Sequence, residues 1–144
     1  MYLLDTNVLS ELMRPTPAPQ VLHWVDSQAT QHLFTSAITR AEIELGLALL
    51  PQSKRRQALA MQSKAMFEED FSGRCLAFDE RCAPIYGVLM AARTRQGRPM
   101  SVEDAQIAAV CLAHQKTLIT RNTADFENIE GLPLINPWLI EQGK

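Results

Sequence analysis

The chain has 144 residues, 47% of them hydrophobic and 21% charged, with a formal net charge of −2 and a pI near 5.9. This fits one domain over 1–144 with a real core and excludes a disordered chain. No apolar run nears the ~20 residues of a membrane helix, no secretory leader precedes the first motif, and Cys75, Cys82 and Cys111 are too scattered for a disulfide framework, so a cytoplasmic protein without membrane association is expected.

Tyr2, Leu3 and Leu4 form an apolar run suited to a short buried strand, and Asp5-Thr6-Asn7 brings three small polar residues to its end. Val8, Leu9 and Leu12 then follow at helical spacing. Arg14 to Pro19, with three prolines, breaks that helix, and Pro19 suits the first turn of a second one carrying Val21, Leu22 and Val25. His32 to Ser36 reads as a second strand. Thr39-Arg40-Ala41-Glu42 has the capping-box pattern and opens a helix to about Leu50, before Pro51. A longer helix runs from about Gln52 to Phe71.

Cys75 to Phe78 reads as a third strand, with Asp79 as N-cap of a helix bearing Ile85, Tyr86, Leu89 and Met90, which ends at Gly97-Arg98-Pro99. Ser101-Val102-Glu103-Asp104 opens a last helix with an apolar stripe from Ile107 to Leu112. Thr117 to Thr120 is a fourth strand and Leu132 to Ile135 a fifth, separated by a polar loop. Short apolar strands alternating with helices predict an α/β fold, a mostly parallel central sheet of about five strands with helices on both faces. Right-handed crossovers place successive strand ends on one edge of that sheet.

Asp5, Glu42, Asp104 and the pair Asn122 and Asp125 all fall just beyond strand ends or in the first turns of helices. Each also fits an ordinary cap or a helix-dipole partner, so the residues taken singly leave cap and site open. Capping does not require them to share one edge. Carboxylates that did converge there would need a counter-charge, and a hard divalent cation such as magnesium, which takes oxygen ligands and keeps several waters, is the natural one. The lack of any grouped Cys and His argues against softer metals. Such a site serves metal-assisted phosphodiester hydrolysis. The pI announces no basic nucleic-acid face. The local basic clusters Lys54-Arg55-Arg56 and Arg93, Arg95, Arg98 read first as solvated helix faces.

Leu3-Leu4-Asp5-Thr6-Asn7, Thr39-x-x-Glu42, Glu103-Asp104-Ala105-Gln106-Ile107-Ala108 and Leu118-Ile119-Thr120-Arg121-Asn122-x-x-Asp125-Phe126 together resemble the PIN-domain nucleases. Within these the chain is similar to the VapC-type toxins of bacterial toxin–antitoxin pairs, in the FitB-like branch, whose ending Leu134-Ile135-Asn136-Pro137-Trp138 also resembles. The resemblance implies a magnesium- or manganese-dependent endoribonuclease acting on RNA and inhibited by a small cognate antitoxin. Operator DNA would be bound only through that antitoxin, and the toxin would form a homodimer, two of which join in the antitoxin complex. It implies Asp5 and Asp104 as principal metal ligands, and Glu42 as a ligand through water or as the base that positions the attacking water. Thr6 and Thr120 would line the site. At the fourth acidic position this sequence has Asn122, which brings no charge, with Asp125 as the residue able to compensate. The competing reading is a PIN-fold binding module with little cleavage activity that acts within an antitoxin–DNA complex. Leu9, Leu12 and Met13, with Leu45, Leu47 and Leu49, exceed what one helix face needs and are the expected dimer surface.

Overall fold

The computed structural model describes residues 1–140, so the last four residues of the expected domain lie outside the described part. Five strands form one sheet in the order β3-β2-β1-β4-β5, with every pairing parallel. They are β1 (Tyr2–Leu4), β2 (Leu33–Ser36), β3 (Cys75–Leu76), β4 (Thr117–Ile119) and β5 (Leu134–Ile135). The helices are α1 (Thr6–Leu12), α2 (Pro19–Asp26), α3 (Ala37–Leu49), α4 (Lys54–Ala65), α5 (Cys82–Arg95) and α6 (Val102–Ala113). The expected α/β architecture is thus found, with a wholly parallel sheet.

Alternation along β1 and β4 builds two cores. Leu3 and Leu118 enter one cluster with Leu89 of α5 and Ile107, Ala108 and Cys111 of α6. Leu4 and Ile119 enter the other, with Val8, Leu9, Val21, Trp24 and Ile43 from the early helices. Leu3, Leu4, Leu118 and Ile119 are all fully buried. Burying both faces of these strands explains why they read as continuous apolar runs. Helix α6 is apolar nearly all round from Ala105 to Cys111, because α5, α3 and β4 all pack on it.

The order also fixes where a site can form. The chain steps from β1 to β2 and β3 in one direction, while β4 and β5 lie on the other side of β1. The carboxyl ends of β1 and β4 therefore flank the point where the winding reverses, which is where open α/β sheets leave a crevice. Backbone bonds carry the ladder up to this point, with Asp5 donating to the Ile119 carbonyl (2.9 Å) and Thr120 to the Ile135 carbonyl (3.0 Å).

Several boundaries differ from the sequence reading. Strand β3 stops at Leu76, and β5 begins only at Leu134. The long helix expected to Phe71 ends at Ala65 and widens into a π turn, Met66–Asp70, that seats Met66 and Phe67 in the core. Helix α3 starts at Ala37, not at Thr39. Ser36 ends β2 in an extended conformation, and its hydroxyl accepts the Thr39 amide at 3.1 Å, so the cap lies three residues earlier than the capping-box pattern implied. Asp79 does not cap α5. It accepts the Arg81 amide in a turn ahead of the helix, which begins at Cys82.

Candidate active site

Asp5 closes β1 and opens α1. One carboxylate oxygen accepts the Thr6 amide at 2.8 Å, an N-cap contact, and the other accepts the Thr120 hydroxyl at 2.8 Å and the Asn7 amide at 3.1 Å. The side chain is both a cap and part of a network between strand ends. It is 3% exposed. Burial pushes its pKa above the ordinary aspartate value in spite of these donors, and nearby Asp125 adds to the rise.

The earlier cap on α3 leaves Glu42 in the second turn, with no capping duty. It accepts the Thr6 hydroxyl at 2.7 Å, and the Thr6 oxygen also lies 3.1 Å from that of Thr39, which is fully buried. Desolvation raises the Glu42 pKa, helped by the negative charges of Asp5 and Glu103. Asp104 sits where the sequence placed it, three residues after its cap, with its amide bonded to the Ser101 hydroxyl at 3.1 Å. Its pKa is pushed up to about 6 by burial first, then by repulsion from Asp5, Asp125 and Glu42.

Four carboxylates from four segments therefore act on one another electrostatically. Among the described residues none of Asp5, Glu42 and Asp104 forms an ion pair with a base. The remaining expected positions are more peripheral. Thr120 is fully buried and bonded to Asp5. Asn122 has an exposed side chain and contributes its amide, which donates to the Thr120 hydroxyl at 3.1 Å. Asp125 is exposed and lines a cleft together with Asp104, and its neighbour Phe126 is 1% exposed and anchors the turn.

Two participants escaped the sequence reading of the site. Asn7 donates to Asp5 and to Thr120 (3.2 Å) while its carbonyl accepts the Arg121 amide at 3.0 Å, stapling α1 to the end of β4. Its place in the Asp-Thr-Asn triplet was the available signal. Glu103 adds negative charge beside Glu42. Its place directly before Asp104 in the Glu103-Asp104 motif was the available signal, although a first-turn glutamate is also an ordinary dipole partner.

The donor set is all oxygen, from carboxylates, hydroxyls and an amide. Among the described residues no three His, Cys, Asp or Glu side chains are grouped closely enough to hold an ion together. A hard cation that keeps several waters needs only one or two direct carboxylates.

A cleft of about 710 Å³ opens from Thr6 and Glu42 between α1, α3 and α4, walled by Met13, Leu47, Leu59 and Arg55. The expected dimer surface is divided. Leu9 and Leu47 are core residues, whereas Leu45 and Leu49 are 60% and 76% exposed. The basic clusters divide too, since Arg55 reaches the cleft while Arg93 is buried.

The PIN domain family matches residues 2–132 of the chain. A VapC ribonuclease, Y4jK, of Sinorhizobium fredii is 41% identical over 96% of this chain and 98% of its own length. Toxin FitB of Neisseria gonorrhoeae is 38% identical over 96% of this chain and 99% of its own. A solved structure of FitAB bound to the IR36 DNA fragment superposes with a TM-score of 0.88 at 37% identity, covering 100% of both chains.

Proposed function

The chain belongs to the PIN-domain family, and from that premise we propose that it is the endoribonuclease toxin of a type II toxin–antitoxin pair. The observation that carries this reading is the group of mutually repelling carboxylates, Asp5, Glu42 and Asp104, joined by Asp125 and left without a basic partner among the described residues. A pure scaffold would gain nothing from that repulsion. Relatives named VapC ribonuclease and Toxin FitB support the activity and the toxin role.

PIN-domain nucleases use divalent metal ions, and the donor chemistry favours magnesium, with manganese able to replace it. Asp5 and Asp104 would hold the ion. When bound, it supplies positive charge to the phosphodiester as negative charge develops in the transition state. Asp5 is locked for this task by Thr120, Asn7 and the Thr6 amide, and such outer contacts fix a ligand's orientation. Glu42, oriented by Thr6, takes a proton from the attacking water. Its raised pKa brings it nearer the working pH, where a general base is most effective. With Asn122 at the fourth acidic position, Asp125 supplies the remaining negative charge.

The cognate antitoxin is assigned to the cleft beside Thr6 and Glu42, with a basic residue reaching the carboxylates to neutralise them. The FitAB complex with DNA supports operator binding through the antitoxin. We assign a homodimer, with two dimers in the antitoxin complex, and a cytoplasmic location. No described helix is long and apolar enough to cross a membrane.

The test is to purify the chain free of antitoxin, incubate it with total RNA with and without magnesium, and map the fragment ends. Discrete magnesium-dependent cuts are expected. Intact RNA with a correctly folded protein would leave the binding-module reading in possession.

A further inference from the structure

Arg93, in the last turn of α5, is 5% exposed, yet among the described residues no carboxylate lies within ion-pair distance of it. A buried charge without a counter-ion is costly unless its hydrogen bonds are met. Here they are met by three carbonyls. Nε donates to Arg98 (2.8 Å), Nη1 to Glu127 (2.9 Å) and Nη2 to Asp125 (3.2 Å).

Those carbonyls belong to two segments. Arg98 lies in the turn leading to Ser101 and so to Asp104. Asp125 and Glu127 lie in and just after the short 3-10 turn Thr123–Phe126. A cleft of about 490 Å³ has Arg93, Ser101, Asp104 and Asp125 together in its wall. Asp104 and Asp125 repel each other, and their segments are joined to the sheet separately. Some contact must set their spacing without neutralising them. A guanidinium aimed at backbone carbonyls does this, and its planar fork spans acceptors that a single ammonium cannot.

We infer that Arg93 is a positioning residue that fixes the spacing of Asp104 and Asp125, and through it the cation affinity of the site. The inference rests on the metal-site reading above. Arg74, half-buried and likewise bonded to three carbonyls, provides a comparison. It donates to the carbonyls of Thr30, Leu33 and Asp70 at the opposite, amino-terminal edge of the sheet.

The test titrates Mn²⁺ alone by calorimetry into the wild type and into Arg93→Met, Arg93→Lys and Arg74→Met, each shown to be folded by circular dichroism. The kcat and KM for RNA are measured alongside. Arg93→Met should weaken Mn²⁺ binding by about 10- to 100-fold, the usual cost of losing an outer contact, and lower kcat with KM little changed. Arg93→Lys keeps the charge but should weaken Mn²⁺ similarly, and it serves as the test if Arg93→Met fails to fold. Arg74→Met should melt earlier yet keep Mn²⁺ affinity and kcat. Wild-type Mn²⁺ affinity in folded Arg93 variants would overturn the inference, as would an equal loss in Arg74→Met. A wild type that neither binds Mn²⁺ nor cuts RNA would instead remove the functional reading beneath it.

Discussion

Asp5 and Glu11 stand near opposite ends of the short helix α1, and both are nearly out of contact with water, at 3% and 6% exposure. Glu11 is wrapped by its own partners. It accepts the Ala18 amide at 2.8 Å and two bonds from Arg14, at 3.0 and 3.2 Å. The Ala18 bond, aided by Arg14, holds its pKa below the ordinary glutamate value. Asp5 accepts as many hydrogen bonds but has no cation, and its pKa moves the other way. One buried carboxylate closes the loop over residues 14–18 and is complete. The other is well oriented and still short of positive charge. Burial alone does not mark a functional acid; burial without a counter-charge does.

The contrast can be broken most forcefully by removing each charge in turn. Asp5→Asn should lower RNA cleavage by more than about 100-fold, since loss of even an outer partner costs 10- to 100-fold. Thr120→Val keeps the shape but removes the donor to Asp5, and should weaken magnesium binding by about 10- to 100-fold. Unchanged affinity by calorimetry would mean that Asp5 needs no such support. Glu11→Gln should leave cleavage per folded molecule intact but cost about 1–3 kcal/mol of stability, the range for groups left poorly paired. Because the folded-state pKa of Glu11 is lowered, its stabilisation is present above the unfolded value of 4.5 and is lost as pH falls below it. The gap between Glu11→Gln and wild type in urea melts should therefore close in acid. Smallest of all, Asp79→Asn, at an exposed turn away from the carboxylates, should leave the urea midpoint close to that of the wild type and the magnesium response untouched.

The architecture was legible because strand alternation, prolines and helix caps are local signals. The two-sided burial of Leu3 and Leu4 follows from their apolar run, and the sheet edge follows from parallel crossovers. The same local logic misplaces the start of helix α3, since Thr39-x-x-Glu42 satisfies the capping rule in sequence. Only the end of β2 shows that Ser36 takes that role first. The difference matters, because a capping box would give Glu42 an innocent explanation that the fold removes. Arg93 was illegible for a different reason. Its acceptors lie 5, 32 and 34 residues away, and a carbonyl has no signature in a sequence.

Asp104→Asn puts the cation reading to its most direct trial. The folded, metal-free protein holds the Asp104 proton up to about pH 6, against 3.8 for the ordinary side chain. The stability associated with that proton is full below the lower value and is lost as pH rises through the higher one. At neutral pH the substitution should therefore leave the metal-free Tm unchanged or raised, after about 0.3–1 kcal/mol lost at the helix dipole. Any advantage should vanish below about pH 4. Added magnesium should no longer raise the Tm, and RNA cleavage should be abolished. A variant that melts lower without metal, yet keeps its magnesium response and full cleavage, would reduce Asp104 to a helix-start residue and contradict the cation site.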